Sequence, residues 1–144
     1  GNAKLDLEIA EYMASVKDPG VFVLDYAPNC TADLIDQKAE KFFRIIREEH
    51  PDVPVIIVEP PYYPYKDFDR KVYEDFAQRI QAQRSLYKKL KKSGEKKLLY
   101  IKSDQLLNGN KDATVDGVHY TDLGSVIHAE AIVPVIRRAL RMTK

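Results

Sequence analysis

Three polar residues of this chain have the types and settings that chemistry at a carbonyl carbon uses. Asp116 and His119 stand three residues apart in DGVHYTDLGSV (116–126), and Asn29 follows the apolar run VFVLDY (21–26). A carboxylate beside one imidazole nitrogen fixes the tautomer of the ring, so that the other nitrogen can act as a general base. The side-chain amide of Asn29 can donate a hydrogen bond to an oxyanion. The pattern therefore indicates a general base and an oxyanion donor.

Both motifs also have structural interpretations, which the residues alone leave open. Asp116 can form an Asx-type turn before Gly117 while His119 merely precedes a helix, since D-x-x-H is a short and common pattern. Asn29 can likewise be a turn residue after Pro28. The chemical interpretation is favoured by position, because both motifs follow apolar segments of strand character.

The rest of the chain alternates between helical and strand patterns, which predicts how these residues are positioned. Apolar residues recur at helical spacing in 5–16, 32–49, 68–90 and 122–141, and continuous apolar runs occupy 21–26, 53–59 and 98–102. This order predicts an α/β domain with three layers, right-handed crossovers and a parallel sheet of about three strands. The functional loops of such a sheet gather at the carboxyl ends of its strands. Asn29 and the Asp116–His119 pair are both predicted to lie there.

The last predicted helix is expected to pack one apolar face against the core. The residues assigned to that inward face are Val126, Ala129, Val133, Ile136 and Leu140. Pro134 is predicted to kink the helix or to restart it. His128 on this helix and His50 at the end of an earlier one are both expected to be structural.

Composition argues against a large charged partner or a membrane. The chain has 144 residues and a formal net charge of +1, so we expect no nucleic acid and no anionic membrane as a partner, but a small molecule. No apolar run approaches the roughly 18 residues of a membrane span. The single cysteine, Cys30, excludes an internal disulfide and is predicted to be a small packed side chain. The compartment stays open, with a secreted or periplasmic protein among the alternatives.

Three segments, VFVLDYAPN, PDVPVIIVEPPYYP and DGVHYTDLG, together resemble an established family. Their order and spacing are similar to those of the SGNH hydrolases, the GDSL esterase and lipase superfamily, and most of all to its bacterial branch with a D-x-x-P-N third block. The resemblance covers essentially the whole chain and implies a flavodoxin-like α/β/α fold. In the last block the matching residues are Asp116, Gly117, His119, Asp122, Leu123 and Gly124, and Tyr120 stands where a proline is frequent.

Carried over by position, the resemblance implies roles for four residues. His119 is the general base, Asp116 the acid that orients it, and Asn29 a side-chain donor of the oxyanion hole. Gly1 is implied as a backbone donor of the same hole, by its match to the family's second-block glycine. The implied activity is that of a serine esterase or lipase, which cleaves ester bonds of a small molecule, acetylated carbohydrate included, through an acyl-enzyme and without a cofactor or metal.

One element of the family pattern is absent, because no Gly-Asp-Ser block is present in the sequence. We therefore expect residues 1–144 to form a single SGNH-hydrolase-like domain that is incomplete at its amino-terminal side and inactive alone. The strand at 21–26 is then expected to be an exposed sheet edge. Such an edge invites pairing with another chain, which predicts a homo-oligomer.

Two alternatives belong to other functional classes. A flavodoxin-like binding module, or a degenerate hydrolase without catalysis, would share the layered pattern, although APNCTAD and PPYYPYKD are poor candidates for a flavin phosphate loop. A metal hydrolase could use Asp116 and His119 as ligands, but the sequence shows no cluster of further histidines near them. Tyr62, Tyr63 and Tyr65, which lie among prolines, either form a rigid loop or line a substrate groove.

Overall fold

The computed structural model describes residues 3–62 and 67–143. Within these ranges the helices are α1 (Leu7–Ala14), α2 (Ala32–Glu49), α3 (Arg70–Lys92) and α4 (Asp122–Leu140), and the strands are β1 (Phe22–Leu24), β2 (Val55–Val58) and β3 (Leu98–Ile101). Short 3-10 turns occupy Ala27–Asn29, Ser103–Gln105, Leu107–Gly109 and Lys111–Ala113. Gly1, to which a role in the oxyanion hole was assigned, lies outside the described residues, as do Tyr63 and Tyr65.

The strands form a parallel sheet in the order β1-β2-β3, which confirms the predicted α/β class. Val23 of β1 is paired with Ile56 of β2, and Ile56 with Leu99 of β3. Each crossover helix therefore returns to the next strand in the same direction. Because right-handed crossovers in one direction place their helices on one face, α2 and α3 share a layer, and they pack against each other there.

The two faces of the sheet bury separate apolar clusters. On one face α1, α2 and α3 cover alternate strand residues such as Leu24 and Ile57, with Phe43 and Leu90 fully buried among them. On the other face α4 covers residues of the opposite parity, Ile56 and Ile101 among them. β2 is buried along its whole length, because it is the central strand of the sheet and both of its faces are covered. The result is the predicted three-layer arrangement.

The apolar spacing of residues 5–16 predicts an inward face of Leu5, Ile9, Tyr12 or Met13, and Val16, which is only partly correct. Leu5 and Met13 pack in the core, whereas Ile9 and Tyr12 are 53% and 73% exposed and Val16 is exposed as well. Ala10 and Ala14 are buried, and α1 packs against α2.

The predicted inward face of α4 is wrong for four of its five residues. Val126, Val133 and Leu140 are 55%, 39% and 41% exposed, and Ala129 is exposed as well. Only Ile136 packs against the sheet, beside residues that the prediction did not select, namely Ala131, Ile132, Val135 and Ala139. The helix is apolar on two sides, and the sheet covers only one of them. Pro134 lies inside the helix, which continues through it without restarting.

β1 forms one edge of the sheet in the part of the chain that the structure describes. It is hydrogen-bonded to β2 on one side, and no described strand lies on its other side. Among the same residues, no helix is long and apolar enough to span a bilayer.

Candidate active site

Asp116 and His119 are in direct contact in the loop that connects β3 to α4. Nδ1 of His119 lies 2.7 Å from Oδ2 of Asp116, and Oδ1 of Asp116 accepts hydrogen bonds from the backbone N–H groups of Val118 and His119 at 2.9 and 2.8 Å. Gly117 has a φ of 86°, in the left-handed region that favours glycine. The Asx-type turn and the acid–imidazole pair are thus both present, because each carboxylate oxygen serves one of them.

The hydrogen bonds of this turn favour the ionised form of Asp116. The backbone N–H of His119, then its ring, then the backbone N–H of Val118 hold the pKa of Asp116 well below its usual range. An ionised carboxylate can only accept, so the proton between the two side chains belongs to Nδ1 of His119. In the neutral imidazole, Nε2 is then left as the acceptor. His119 is 80% exposed, so this nitrogen can be reached from solvent.

The loop that carries the pair is closed on itself as a small hairpin. Thr114 and Tyr120 form an isolated antiparallel bridge, and the backbone N–H of Val115 donates to the carbonyl of His119 at 2.8 Å. The Asp116 carboxylate and the His119 imidazole therefore lie within one short closed segment. Their relative position does not depend on distant parts of the chain.

The base of the hairpin is joined to the start of α4. Thr121 is the N-cap of α4, and its hydroxyl oxygen accepts from the backbone N–H of Gly124 at 3.1 Å and donates to the carbonyl of Asp112 at 2.9 Å. A Cβ atom at Gly124 would lie only 1.9 Å from the carbonyl oxygen of Ala113. Glycine is required at this position by the close approach of two backbones, which explains the glycine of the YTDLG segment in physical terms.

Asn29 is placed where the sequence predicts it, just beyond β1. It is the last residue of the 3-10 turn Ala27–Asn29 and is exposed, while its backbone N–H donates to the carbonyl of Tyr26 at 3.0 Å. Pro28 lies inside the turn, where its fixed φ suits the conformation. The exposed side chain of Asn29 can therefore reach outward from the carboxyl end of the sheet.

Arg79 of α3 supports this turn, although no sequence pattern predicts that role for Arg79. Its Nη1 donates to the carbonyls of Pro28 and Ala27 at 3.0 and 3.4 Å, and its Nη2 lies 2.5 Å from Oδ2 of Asp75 one helical turn earlier. The guanidinium group thus supplies hydrogen-bond donors to two carbonyl oxygens of the short turn. The contact joins residues 51 positions apart, so no local pattern could have revealed it.

Cys30 is a packed residue, in agreement with its predicted role. It is 1% exposed, and its thiol donates to the carbonyl of Ala3 at 3.3 Å. Burial raises the pKa of the thiol, the largest of several effects. A protonated, buried thiol is a poor nucleophile.

Glu59, directly after β2, is a second supporting residue that no sequence pattern predicts. It is fully buried, and its carboxylate accepts from Nε and Nη2 of Arg84 at 2.6 and 3.2 Å, from the hydroxyl of Tyr100 at 2.9 Å and from the backbone N–H of Ser103 at 2.7 Å. This carboxylate therefore joins α3 to the end of β3 and to the start of the loop that leads to His119. In the sequence, the role of Glu59 is indicated only by its position as a charged residue directly after the apolar run VPVIIV.

The five serines of the chain lie in helices, at helix ends or in a buried loop. The hydroxyls of Ser15, Ser93 and Ser125 donate to carbonyl oxygens of the helical turns that precede them. Ser103 is buried and its backbone N–H is bound to Glu59, and Ser85 is exposed on α3. Over residues 3–62 and 67–143, no group of three or more His, Cys, Asp or Glu side chains could hold a metal ion.

Comparison with known proteins identifies the family. Residues 1–137 match the sequence profile of the GDSL-like lipase/acylhydrolase family. The chain belongs to this family. The resemblance of the three sequence segments to this family is therefore confirmed. The α/β sheet and the Asp116–His119 turn are parts of a GDSL-like chain.

Two solved structures resemble this GDSL-like chain. A protein from Bacteroides ovatus ATCC 8483 that is described as a GDSL-like lipase is 31% identical to it, with a TM-score of 0.90 over 97% of this chain and 41% of that one. The salicylyl-acyltransferase SsfX3 from a tetracycline biosynthetic pathway is 18% identical, with a TM-score of 0.71 over 96% of this chain and 42% of that one, which shows a shared fold. The GDSL-like chain thus spans about two fifths of the length of both. No curated protein sequence matches it.

Proposed function

We propose that this chain is the base-bearing part of a serine hydrolase that cleaves ester bonds of a small molecule. The observation that carries the proposal is the 2.7 Å contact between Nδ1 of His119 and the Asp116 carboxylate, in a chain of the GDSL-like family. His119 is the general base, Asp116 its orienting acid, and Asn29 and Gly1 are the oxyanion donors. The serine lies outside residues 1–144.

The proposed reaction follows from the proton on Nδ1. Nε2 of His119 accepts the proton of the serine hydroxyl while the serine oxygen attacks the ester carbonyl, and the imidazolium that forms is stabilised by Asp116. The oxyanion accepts a hydrogen bond from the amide of Asn29. His119 then returns the proton to the leaving alcohol, and water attacks the acyl-enzyme by the same route in reverse.

We further propose that the serine arrives on a preceding segment that pairs with β1. The second apolar side of α4 supports this, because it is exposed while β1 has no described strand on its outer side; its residues are Leu123, Val126, Val133 and Leu140. A cavity of about 180 Å³ between α1 and β1, lined by Ile9, Met13 and Val23 among others, lies along the same strand. These surfaces would be covered by a neighbouring strand and helix. In the chain alone they would mediate self-association.

Acetylated carbohydrate is the substrate class that we propose for testing first. Exposed aromatic rings can stack on the faces of sugars. Phe68 and Tyr73, near the start of α3, are 88% and 51% exposed, and they follow the loop that leaves the carboxyl end of β2.

The decisive experiment uses the protein extended upstream to include the missing segment. Hydrolysis of p-nitrophenyl acetate is expected to fall about 10³-fold to 10⁴-fold in His119→Ala and about 10²-fold to 10³-fold in Asn29→Ala. Asp116→Asn should lower it about 10⁴-fold. Its matched control, Asp112→Asn, changes an exposed acid in the same loop and should retain full activity. Residues 1–144 alone should be inactive. Undiminished turnover in His119→Ala would refute the assignment.

The substrate class is tested separately with the same proteins. Acetate release from acetylated xylo-oligosaccharides is compared with hydrolysis of p-nitrophenyl acetate, with Phe68→Ala and Tyr73→Ala as variants. We expect the aromatic substitutions to raise KM for the carbohydrate and to leave that for p-nitrophenyl acetate unchanged. Equal effects on both substrates would contradict the assignment of these rings to a sugar subsite.

A further inference from the structure

Tyr120, the residue directly after His119, makes a second and separate contact with α4. Its ring stacks on the imidazole of His128 with centroids 4.9 Å apart and planes inclined by 42°, and its hydroxyl lies 3.2 Å from Nδ1 of His128. The hydrogen bonds within the hairpin fix its internal shape. The contact with His128 adds to the bonds of Thr121 in holding the hairpin against α4.

His128 is a firm support for this contact because of its surroundings. Its side chain is 15% exposed, and its Nε2 points toward Asp25 at the end of β1, with 3.9 Å between Nε2 and Oδ2. That distance is too long for a hydrogen bond but short enough for the carboxylate to favour a proton on Nε2. Burial lowers the pKa of His128 and raises that of Asp25 to about 6, so at neutral pH the imidazole is neutral and the carboxylate is charged.

The tautomer of His128 follows from these two neighbours. With the proton on Nε2, facing Asp25, Nδ1 has a free lone pair and accepts from the Tyr120 hydroxyl. The chain Asp25, His128, Tyr120 thus runs from the end of β1, through α4, to the residue beside the general base. It connects the end of β1, shortly before Asn29, with the hairpin that carries His119.

We propose that Tyr120 and His128 are positioning residues for His119. The inference rests on the function proposed above, since positioning matters only if His119 is the general base. In the family that this chain resembles, a proline is frequent at the position of Tyr120. Here the stacking and hydrogen bond to His128 take over the restriction of the loop that a proline ring would supply through its fixed φ.

The first test is made on residues 1–144 and needs no activity. The chain contains only three histidines, so long-range ¹H–¹⁵N spectra can assign the proton on each ring. We expect His128 to carry its proton on Nε2, and Asp25→Leu to reduce that preference. A proton on Nδ1 in the unsubstituted chain would overturn the proposed arrangement.

Amide hydrogen exchange then measures the positioning of the loop. Tyr120→Leu should speed exchange of the Val115 and His119 amides about tenfold and leave the amides of β2 unchanged. Tyr120→Phe, which keeps the stacking, should have a smaller effect, and Tyr120→Pro should restore slow exchange. Tyr12→Leu, at a tyrosine that is 73% exposed, is the matched control. Unchanged exchange at both amides, or a uniform increase throughout the chain, would overturn the proposal.

The second test uses the complete enzyme and separates the two proposals. Tyr120→Phe should lower kcat about fivefold, the factor expected for one lost hydrogen bond, with KM unchanged and with Tyr120→Pro close to full activity. A rise in KM at constant kcat would overturn the positioning role. Failure of His119→Ala to reduce turnover would refute the hydrolase assignment, whereas the tautomer and exchange results would stand independently of it.

Discussion

Replacing the buried carboxylate of Glu59 by an amide should destabilise the fold by an amount that the structure allows us to estimate. Glu59 accepts four hydrogen bonds, two of them from Arg84, one from Tyr100 and one from the backbone of Ser103. In Glu59→Gln only one oxygen remains, so the new amide nitrogen faces an N–H group of Arg84 in either orientation. Two charge-assisted bonds are weakened or lost, each of which contributes about 1.5–3 kcal/mol.

Two effects reduce this sum. The Tyr100 hydroxyl can rotate to accept from the new amide, and Arg84 is 48% exposed, so water partly screens its charge. We therefore expect Glu59→Gln to lower the free energy of unfolding by about 2–4 kcal/mol, and Tyr100→Phe by about 1–2 kcal/mol. The free energy of unfolding of a small domain is typically about 5–15 kcal/mol, so both variants should keep part of it.

Urea unfolding followed by circular dichroism measures these values. The matched control is Glu74→Gln, which removes the carboxylate of an exposed ion pair with Arg70 and should change stability by less than about 0.5 kcal/mol. A loss below about 1 kcal/mol for Glu59→Gln would refute the reasoning, because it would mean that the four hydrogen bonds of the Glu59 carboxylate contribute little in solution.

Three further predictions concern the loops of the candidate site. Arg79→Met should loosen the turn before Cys30 and speed labelling of that sole thiol by a disulfide reagent about tenfold; an unchanged rate would show that Arg79 does not hold the turn. Gly124→Ala should cost about 1–3 kcal/mol in urea unfolding, since its methyl group overlaps a backbone carbonyl. The hydrogen bonds of Asp116 lower its pKa. Its contact with His119 is therefore fully formed above the ordinary aspartate pKa of about 3.9 and is lost only at lower pH. NMR titration of the Asp116 carboxyl carbon should therefore give a midpoint below that value, and one at or above it would contradict the assignment.

The sequence predicts the layered fold and the Asp116–His119 pair because the information for both is local. Continuous apolar runs identify the three strands, and the acid and base lie within one turn, where spacing alone determines contact. The predicted inward face of α4 is wrong for a physical reason. Val126 and Leu140 have the same apolar character as the residues that reach the sheet, and periodicity cannot tell which of two apolar sides the sheet covers.

The supports of the site could not be predicted, because they join distant parts of the chain. Glu59 meets Arg84 25 positions later and Ser103 44 positions later, and Arg79 meets Pro28 across 51 positions. Nothing in the local sequence of these residues marks them as partners. Such contacts depend on how the helices lie on the sheet, which only the complete arrangement shows.

The closed hairpin around Asp116 and His119 has a consequence for how the proposed hydrolase could be divided. Its acid and base are oriented by bonds within residues 114–121, so the base should keep its geometry whichever way the serine is delivered. The nucleophile and the base could then reside on two separate polypeptides that assemble along the edge of β1. Residues 1–144 would be one component of a split hydrolase, and activity would report the association of the two.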